Sequence, residues 1–376
     1  MKKQFLPLLL IALVVLINSC SKDEPLVVEP TVNPGTVLFT LNGLTENVRL
    51  VRWSSDGSKV AAYGDDNTVV VWSSKNGAKL FTFKGSQNAI TTMQWNPAST
   101  KIAVTGMSGV TEIWSCVNGD KLVTIPLENS NPIRSVEWSP DGSKIATAGA
   151  NGTISIWSSE SGTKLRTLIG HKNSIVALQW SPDGSKIASA SSDKTAKVWS
   201  AVDGSTIYTF ISHKDYLTCV RWSPDGSKIA TASQDYSSYD NISFIWSATT
   251  GAKLQTLVGH SGDINSIDWN PDGTKLATAG QDDMVNIWSS TDGKRIETLY
   301  GHTGDIVSVQ WSPDGSKIVT ASSDKTAKIW TADKGSALYT LQDHTGPVRS
   351  AMWSPDGTKV ATASNDKTAK IWYIGK

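Results

Sequence analysis

The chain has 376 residues, a formal net charge of +1 at neutral pH and 16 tryptophans. Because the charge is close to zero and Lys and Arg are scattered along the chain, the composition gives no reason to expect nucleic-acid binding. Frequent glycine, modest charge and an unusually high tryptophan content favour a turn-rich β protein.

The first residues, 1–19, are typical of a signal peptide. Lys2 and Lys3 precede an apolar run at 5–17, which is shorter than the roughly 20 residues that span a bilayer. The run leads into Leu-Ile-Asn-Ser-Cys, which resembles the lipobox of bacterial lipoproteins and implies cleavage before Cys20 and acylation of that cysteine. The alternative is an ordinary secretory signal with an incidental cysteine.

Residues 20–35 are expected to form an extended tether, because they contain Pro25, Pro30 and Pro34 and have no periodicity. The sequence Ser-Lys-Asp-Glu-Pro after the lipidated cysteine resembles a surface-export signal of some Gram-negative lipoproteins, and the alternative is the start of a solvated linker. We therefore expect an outer-membrane lipoprotein of a bacterial envelope, and leave open whether it faces the periplasm or the cell surface.

All 16 tryptophans fall into two interleaved series. The first series is Trp53, Trp95, Trp138, Trp180, Trp222, Trp269, Trp311 and Trp353, and the second is Trp72, Trp114, Trp157, Trp199, Trp246, Trp288, Trp330 and Trp372. Most neighbours within a series are 42 residues apart, as Trp311 and Trp353 are. A repeat of this length is typical of a propeller blade with four strands.

The four strands can be predicted within one repeat, at 306–311, 317–322, 327–330 and 336–341. Each is short and rich in β-branched or aromatic residues, and turn residues such as Ser-Pro-Asp-Gly and Ser-Asp-Lys-Thr separate them. No segment has a sustained helical period. The repeats therefore predict an all-β protein.

These repeats resemble the WD-repeat family over residues 36–376. The resemblance rests on Gly-His at Gly170-His171, Gly259-His260 and Gly301-His302, and on a tryptophan that ends each third strand, followed in most repeats by Ser where the family often has Asp. It implies an eight-bladed β-propeller. One outer strand, at 36–41, precedes the first blade, so we expect it to complete the last blade and close the ring.

Repeats four to eight carry a His, a hydroxyl residue, an Asp and a Trp at fixed offsets. The resemblance implies that these form a structural hydrogen-bond network in each blade, which we call the staple. Its members are His171, Ser189, Asp193 and Trp199; His213, Thr231 and Trp246; His260, Thr278, Asp282 and Trp288; His302, Thr320, Asp324 and Trp330; and His344, Thr362, Asp366 and Trp372. In repeat five, either Asp235 or Asp240 supplies the carboxylate. Repeats one to three lack the full set.

The same residue types could form a hydroxyl nucleophile, a base and an orienting carboxylate. Repetition argues against this interpretation, because each blade needs the same structural bonds whereas an active site is needed once. All five histidines occupy staple positions, so none remains for a metal site or a general base, and we expect no cofactor. Cys116 and Cys219 lie at different positions of their repeats and are expected to be buried and unpaired.

Positions that differ between repeats predict the binding face. In the WD-repeat family, the residues four and six places before each first-series tryptophan line the channel mouth on the face where partners commonly dock. The candidates are Arg49, Arg134, Arg349, Asn47, Tyr216, Asp263, Asp305 and Asn265, with Tyr236 and Tyr239 of the inserted loop. The alternative is that these loop-edge positions vary freely.

We therefore expect a monomeric propeller that acts as a protein-interaction scaffold, held at a membrane by its N-terminal lipid, with no nucleic-acid partner. One alternative is a carbohydrate or other small-ligand binder at the channel mouth. Another is a hydrolase or lyase, for which Asp263 and Asp305 on adjacent blades are the one weak carboxylate pair.

Overall fold

The structure is built from short antiparallel strands. A computed structural model describes residues 32–85, 89–126, 131–234 and 241–375, and every regular element in these ranges is a strand. The strands form eight sheets of four strands each. Each sheet is one blade of a ring, so the chain is an eight-bladed β-propeller and the predicted fold class is confirmed.

The first strand, β1 (Thr36–Leu41), belongs to the last blade. Blade one contains β2 (Val48–Trp53), β3 (Lys59–Gly64), β4 (Thr68–Ser73) and β5 (Lys79–Lys84), and blade two contains β6 (Ile90–Trp95), β7 (Lys101–Gly106), β8 (Thr111–Ser115) and β9 (Lys121–Ile125). Blade three contains β10 (Ile133–Trp138), β11 (Lys144–Gly149), β12 (Thr153–Ser158) and β13 (Lys164–Ile169), and blade four contains β14 (Ile175–Trp180), β15 (Lys186–Ser191), β16 (Ala196–Ser200) and β17 (Thr206–Phe210).

Blade five contains β18 (Leu217–Trp222), β19 (Lys228–Ser233), β20 (Asn241–Ser247) and β21 (Lys253–His260), and blade six contains β22 (Ile264–Trp269), β23 (Lys275–Gly280), β24 (Val285–Ser289) and β25 (Arg295–Leu299). Blade seven contains β26 (Ile306–Trp311), β27 (Lys317–Ser322), β28 (Ala327–Thr331) and β29 (Ala337–Leu341). Blade eight contains β30 (Val348–Trp353), β31 (Lys359–Ser364) and β32 (Ala369–Tyr373), with β1 as its outer strand.

Ring closure follows the prediction. β1 pairs antiparallel with β32, from Thr36 opposite Tyr373 to Leu41 opposite Ala369. The two ends of the propeller therefore share one sheet, and the edge that β32 would otherwise expose is covered.

The Ser-Pro-Asp-Gly turns fix the ends of the first two strands of a blade. In blade seven, the Ser312 hydroxyl donates to Asp314 at 2.6 Å and the Gly315 N–H donates to the Ser312 carbonyl at 2.9 Å. Gly315 has φ +71°, a left-handed conformation that glycine adopts without a Cβ penalty. The repeated turn sequence therefore specifies a tight reversal in most blades.

The hydrophobic core lies between neighbouring blades. At one junction, Val319 and Leu341 of blade seven pack with Val348, Trp353 and Trp372 of blade eight in one buried cluster. Because each sheet buries both faces, the middle strands are almost wholly apolar or small, as the buried run of β27 shows. Cys116 and Cys219 are buried and form no disulfide, as expected.

Two ends of the propeller can now be distinguished. The turns that join first to second strands, such as 54–58 in blade one, lie at one end, which we call the bottom face. The loops that join an outer strand to the next inner strand and the turns that join second to third strands, such as 42–47 and 65–67, lie at the opposite end, which we call the top face.

Candidate functional site

The staple is seen in full in four blades. In blade seven, the Trp330 indole N–H donates to Thr320 Oγ1 at 2.9 Å, the Thr320 hydroxyl lies 2.7 Å from His302 Nε2, and His302 Nδ1 lies 2.7 Å from Asp324 Oδ2. The corresponding bonds, all 2.7–2.8 Å, join His171, Ser189, Asp193 and Trp199; His260, Thr278, Asp282 and Trp288; and His344, Thr362, Asp366 and Trp372.

The bonds of the staple suit a neutral imidazole at His171 and His344. In that state the indole N–H donates to the hydroxyl, the hydroxyl donates to Nε2, and the Nδ1 hydrogen faces the carboxylate. Burial lowers the pKa of His171 and His344, although the neighbouring carboxylates oppose that shift. Thr320 and Ser189 have no exposed surface, so this hydrogen-bond network lies in the interior of the blade.

The fifth blade departs from this pattern at one atom. His213 Nε2 lies 2.7 Å from Thr231 Oγ1, which also accepts the Trp246 indole N–H at 2.9 Å. His213 Nδ1 is buried and has no hydrogen-bond partner in the part of the chain that the structure describes. Burial without a carboxylate lowers the pKa of His213 to about 3. Asp235 and Asp240 lie outside the described residues, so the choice between them stays open.

Blades one to three keep only parts of the network. In blade three, Trp157 still donates to Thr147 at 2.8 Å, and in blade one Asp66 accepts the Thr45 N–H at 2.6 Å. Leu44, at the histidine position of blade one, is buried. The indole nitrogen of Trp114 in blade two is buried without a partner among the described residues. The corresponding positions in blades two and three, Ser86 and Glu128, lie outside the described residues.

A β-bulge marks the top of every inner strand, at the residue four places before the first-series tryptophan. The bulged residues are Arg49, Thr91, Arg134, Val176, Thr218, Asn265, Val307 and Arg349. A bulge adds an unpaired residue and turns its side chain out of the regular alternation of the strand. The predicted variable positions four places before the tryptophans are therefore the bulge positions.

Some of these side chains have structural partners. Thr218 donates to the Ile264 carbonyl at 2.7 Å, and the Asn265 amide donates to the Ile306 carbonyl at 2.9 Å, so each joins its blade to the next. Asn265 was predicted to belong to the binding face, and in the structure its amide forms this inter-blade bond. Part of the variation between repeats is thus variation in how adjacent blades are joined.

Arg49 is held by its own blade. Its guanidinium donates two 2.6 Å hydrogen bonds to the Asp65 carboxylate, and Asn47 donates to the same carboxylate at 3.0 Å. These bonds raise the pKa of Arg49 and lower the pKa of Asp65. Arg49, a candidate for the binding face, therefore uses the bidentate geometry of its guanidinium within its own blade.

The other predicted surface residues differ in exposure. Arg134 is exposed, whereas Arg349 is half-buried and its Nε donates to Asn365 at 3.1 Å. Tyr216 is 43% exposed, and Lys194 Nζ lies 5.9 Å from the centre of its ring, within cation–π range. Arg134, Arg349 and Tyr216 are therefore available to a partner on the top face.

The two acidic residues predicted for the binding face differ in exposure. Asp305 is exposed, whereas Asp263 is buried, with 7% of its surface accessible. The backbone carbonyls of both residues make the same bond, Asp263 accepting the Gln281 N–H and Asp305 the Ser323 N–H, each at 2.9 Å. Asp283, which sequence reasoning missed, lies near Asp305, and burial together with that carboxylate raises the pKa of Asp283.

Asp283 could have been found from the turn that follows the staple carboxylate. Blades four, seven and eight carry Lys194, Lys325 and Lys367 at this position, all with φ between +69° and +73°. Blade six carries Asp283 there, with φ +62°. The residue at this turn is positively charged in blades four, seven and eight and negatively charged in blade six. This difference is visible in the sequence.

A ring of polar side chains inside the channel was also missed. The residue directly before each first-series tryptophan is half-buried, and the set reads Arg52, Gln94, Glu137, Gln179, Arg221, Asp268, Gln310 and Met352. Seven of the eight differ from the apolar residues expected in a buried strand, and four carry charge. Comparison of the repeats at this one position would have revealed the ring.

Channel burial affects these charged groups strongly. It raises the pKa of Asp268 to about 6 and raises the pKa of Glu137, while nearby Arg52 and Arg221 oppose the shift at Glu137. It also lowers the pKa of Arg52. These groups line a cavity of about 380 Å³ that extends to Arg349 at the top face.

Several predicted features fall outside the described ranges. Cys20 and the rest of 1–31 do, as do Tyr236 and Tyr239 of the inserted loop. Within the ranges that the structure describes, no helix has the length and apolar character needed to cross a membrane. In the same ranges, no group of three or more His, Cys, Asp or Glu side chains is placed to hold a metal ion.

Comparison with known proteins agrees with this architecture. The family model described as WD domain, G-beta repeat matches residues 120–158, 162–200, 204–247, 251–289, 293–331 and 335–373, and the model described as Anaphase-promoting complex subunit 4 WD40 domain matches residues 33–98. The first six segments contain the blades in which a second-series tryptophan donates to a Ser or Thr hydroxyl. Blades one and two, with Ala62 and Val104 at that position, are not among them.

No curated protein matches the chain. Among solved structures, the crystal structure of the computationally designed Ika8 protein is similar, with a TM-score of 0.79 and 22% identity over 90% of this chain and 99% of that chain. At this identity the similarity shows the fold alone. The six matched segments cover more than half of the sequence, and the chain therefore belongs to the WD domain, G-beta repeat family.

Proposed function

We propose that this protein is a lipid-anchored scaffold of a bacterial cell envelope that binds protein partners through the top face of its propeller. WD40 propellers are generally protein-interaction scaffolds and typically have no enzymatic activity. To this general role we add a location, the bacterial cell envelope, and a binding surface, the top face.

One observation carries the choice of surface. The buried staple repeats with little change from blade four to blade eight, whereas the exposed side chains above it change in charge and type from blade to blade. Tyr216 with Lys194, and Lys367 with Glu46 at 3.6 Å, are exposed pairs on this face. Tyrosine is enriched where proteins bind each other, and the lysines add positive charge around it.

The anchor is supported by the sequence of the first 20 residues. A basic start, an apolar core too short to span a bilayer and a cysteine directly after that core are the features of a lipoprotein signal. Acyl chains on Cys20 would supply the membrane affinity, at about 0.8 kcal/mol per buried CH₂.

Site-specific cross-linking in intact cells tests the surface. A photoreactive phenylalanine analogue would replace Tyr216 on the top face, and in a matched control it would replace Val202, which is 76% exposed on the bottom face. We expect a discrete cross-linked protein from position 216 and none from 202. Cross-links from position 202 alone would move the docking surface to the bottom face, and the proposal would then be wrong.

A further inference from the structure

The ring of side chains before the first-series tryptophans contains charges that are not paired with each other. Arg52, Glu137, Arg221 and Asp268 lie on blades one, three, five and six. In the part of the chain that the structure describes, none of the four forms an ion pair with another side chain. Buried charges without a direct partner cost free energy, so this arrangement needs an explanation.

The guanidinium groups of Arg52 and Arg221 have N–H donors that form no hydrogen bond within the described ranges. Among the described residues, the hydrogen bond of the Arg52 side chain goes to the Met352 sulfur, 3.6 Å from Nη1, and its Nε is buried without a partner. Arg221 donates from one nitrogen to the Val220 carbonyl at 3.1 Å. The remaining N–H groups of both residues can bind a carboxylate that enters the channel.

The glutamines add further donors. Gln179 Oε1 accepts the Trp222 N–H at 2.6 Å, and Gln310 Oε1 accepts the Trp353 N–H at 2.8 Å. Because each amide oxygen is held by the next blade, the amide NH₂ group is the free end, and in the described ranges it has no hydrogen-bond partner. Two amide donors therefore lie in the same ring as the two guanidinium groups.

The carboxylates are also incompletely bonded. Glu137 accepts a 3.2 Å bond from Gln94 at one oxygen, and Asp268 accepts the Trp311 N–H at 2.8 Å at one oxygen. The other oxygen of Glu137 can accept from a positively charged group. Positive and negative sites are thus present at one level of the channel, and their formal charges cancel.

We propose that the channel binds a small zwitterion of the α-amino-acid type, with its carboxylate on Arg52 and Arg221 and its ammonium group on Glu137. A net neutral ligand adds no net charge to a neutral ring, whereas a simple anion would meet Glu137 and a simple cation would meet the guanidinium groups. The cavity of about 380 Å³ lies in the range of small-molecule sites. Leu50, Val307 and Met352 also line it, so an aliphatic side chain fits beside the charged groups.

This site lies inside the channel and meets the proposed docking surface at Arg349, and neither proposal depends on the other. Calorimetric titration of the full-length protein with L-leucine tests it, with N-acetyl-L-leucine and L-leucinamide as analogues that lack the ammonium group and the carboxylate. We expect saturable binding of one L-leucine per chain. Each analogue should bind at least about tenfold more weakly, because a charge-assisted hydrogen bond contributes about 1.5–3 kcal/mol.

Variants locate the ligand within the ring. Arg52→Gln and Glu137→Gln should each weaken L-leucine binding at least about tenfold. The matched control Arg49→Gln removes a guanidinium outside the channel and should leave the affinity unchanged. Circular dichroism checks that each variant is folded, and where one is not, the two analogues still test both charged contacts on the wild-type protein.

Three results would overturn the proposal. The first is the absence of saturable L-leucine binding to the wild-type protein. The second is equal affinity for L-leucine and either analogue, which would show that the zwitterion is not recognised. The third is an unchanged affinity in folded Arg52→Gln and Glu137→Gln, which would place the ligand outside the ring.

Discussion

Gln179 and Trp222, on adjacent blades, are joined by two hydrogen bonds, and Trp222 is the donor in both. The Gln179 side-chain oxygen accepts the Trp222 backbone N–H at 2.6 Å, and the Gln179 backbone carbonyl accepts the Trp222 indole N–H at 3.2 Å. The second bond recurs at five other junctions, where first-series tryptophans donate to the preceding inner strand. The first-series tryptophans therefore link the inner strands around the ring.

The side-chain bond of Gln179 leads to a first prediction. Gln179→Ala should lower the free energy of unfolding by about 1–3 kcal/mol, because the buried Trp222 N–H loses its acceptor. Gln310→Ala should cost a similar amount, because Gln310 Oε1 accepts the Trp353 N–H in the same way. Urea unfolding of both variants measures the losses, and an unfolding free energy of Gln179→Ala equal to that of the wild type would contradict this role of Gln179.

The staple predicts a difference between two tryptophans. Trp330→Phe removes an indole N–H that donates to Thr320, whereas Trp114→Phe removes one that has no partner among the described residues. We expect Trp330→Phe to cost about 1 kcal/mol more than Trp114→Phe, the net value of one hydrogen bond. Thermal and urea unfolding of the pair provide the measurement. A larger loss for Trp114→Phe would mean that the staple bond does not stabilise its blade.

His213 predicts an acid sensitivity. Its pKa falls from the ordinary value of 6.5 to about 3 on folding, so below pH 6.5 the unfolded chain takes up a proton that the folded protein does not. Stability from this residue is thus complete above pH 6.5 and is lost as the pH falls, by about 1.4 kcal/mol per pH unit.

The variant His213→Gln removes this titration and retains a polar side chain next to Thr231. The slope of unfolding free energy against pH between about 6 and 4 should therefore decrease by about 1.4 kcal/mol per pH unit relative to wild type. Urea unfolding at several pH values gives the slope. Identical slopes for both proteins would indicate that His213 is paired with a carboxylate, from Asp235 or Asp240.

The proposed lipid anchor makes the prediction that Cys20→Ser releases the protein from the membrane fraction. The mutation removes the sulfur that is expected to be acylated and leaves the propeller sequence unchanged. Ser21→Ala, one residue away, is the matched control and should stay with the membranes. Fractionation and immunoblotting compare the two, and membrane retention of the Cys20→Ser variant would exclude this anchor.

The fold could be predicted from sequence because its signals repeat. Two tryptophan series, the turn sequences and the unpaired strand at 36–41 predicted the blades and the ring closure, both of which the structure shows. The candidate site could be predicted only in part. Arg49 lies at a β-bulge and forms hydrogen bonds with Asp65, and no sequence pattern predicts a bulge. The burial of Asp263 likewise depends on the path of a loop, whereas the ring at Arg52 was visible in the aligned repeats.

The top face leads to a last prediction, about charge. Arg134 on blade three and Arg349 on blade eight retain positive charge, whereas Asp65 offsets the charge of Arg49. Asp283 and Asp305 lie together on the side of blades six and seven. The mouth is thus positive on one side and negative on the other, and a partner with acidic groups opposite Arg134 and Arg349 would be steered to it.

The double variant Arg134→Glu and Arg349→Glu should slow association with the partner cross-linked at position 216 by about tenfold at low salt. Added salt should reduce this difference, since screening at physiological ionic strength limits such forces to about 8 Å. Lys144→Glu is the control for charge reversal on the bottom face, because Lys144 begins β11 at the end opposite Ile133. Stopped-flow binding across a salt series measures the rates. A folded double variant that associates as fast as Lys144→Glu at low salt would show that the arginines do not steer the partner, and would direct attention to Tyr216 and Lys194.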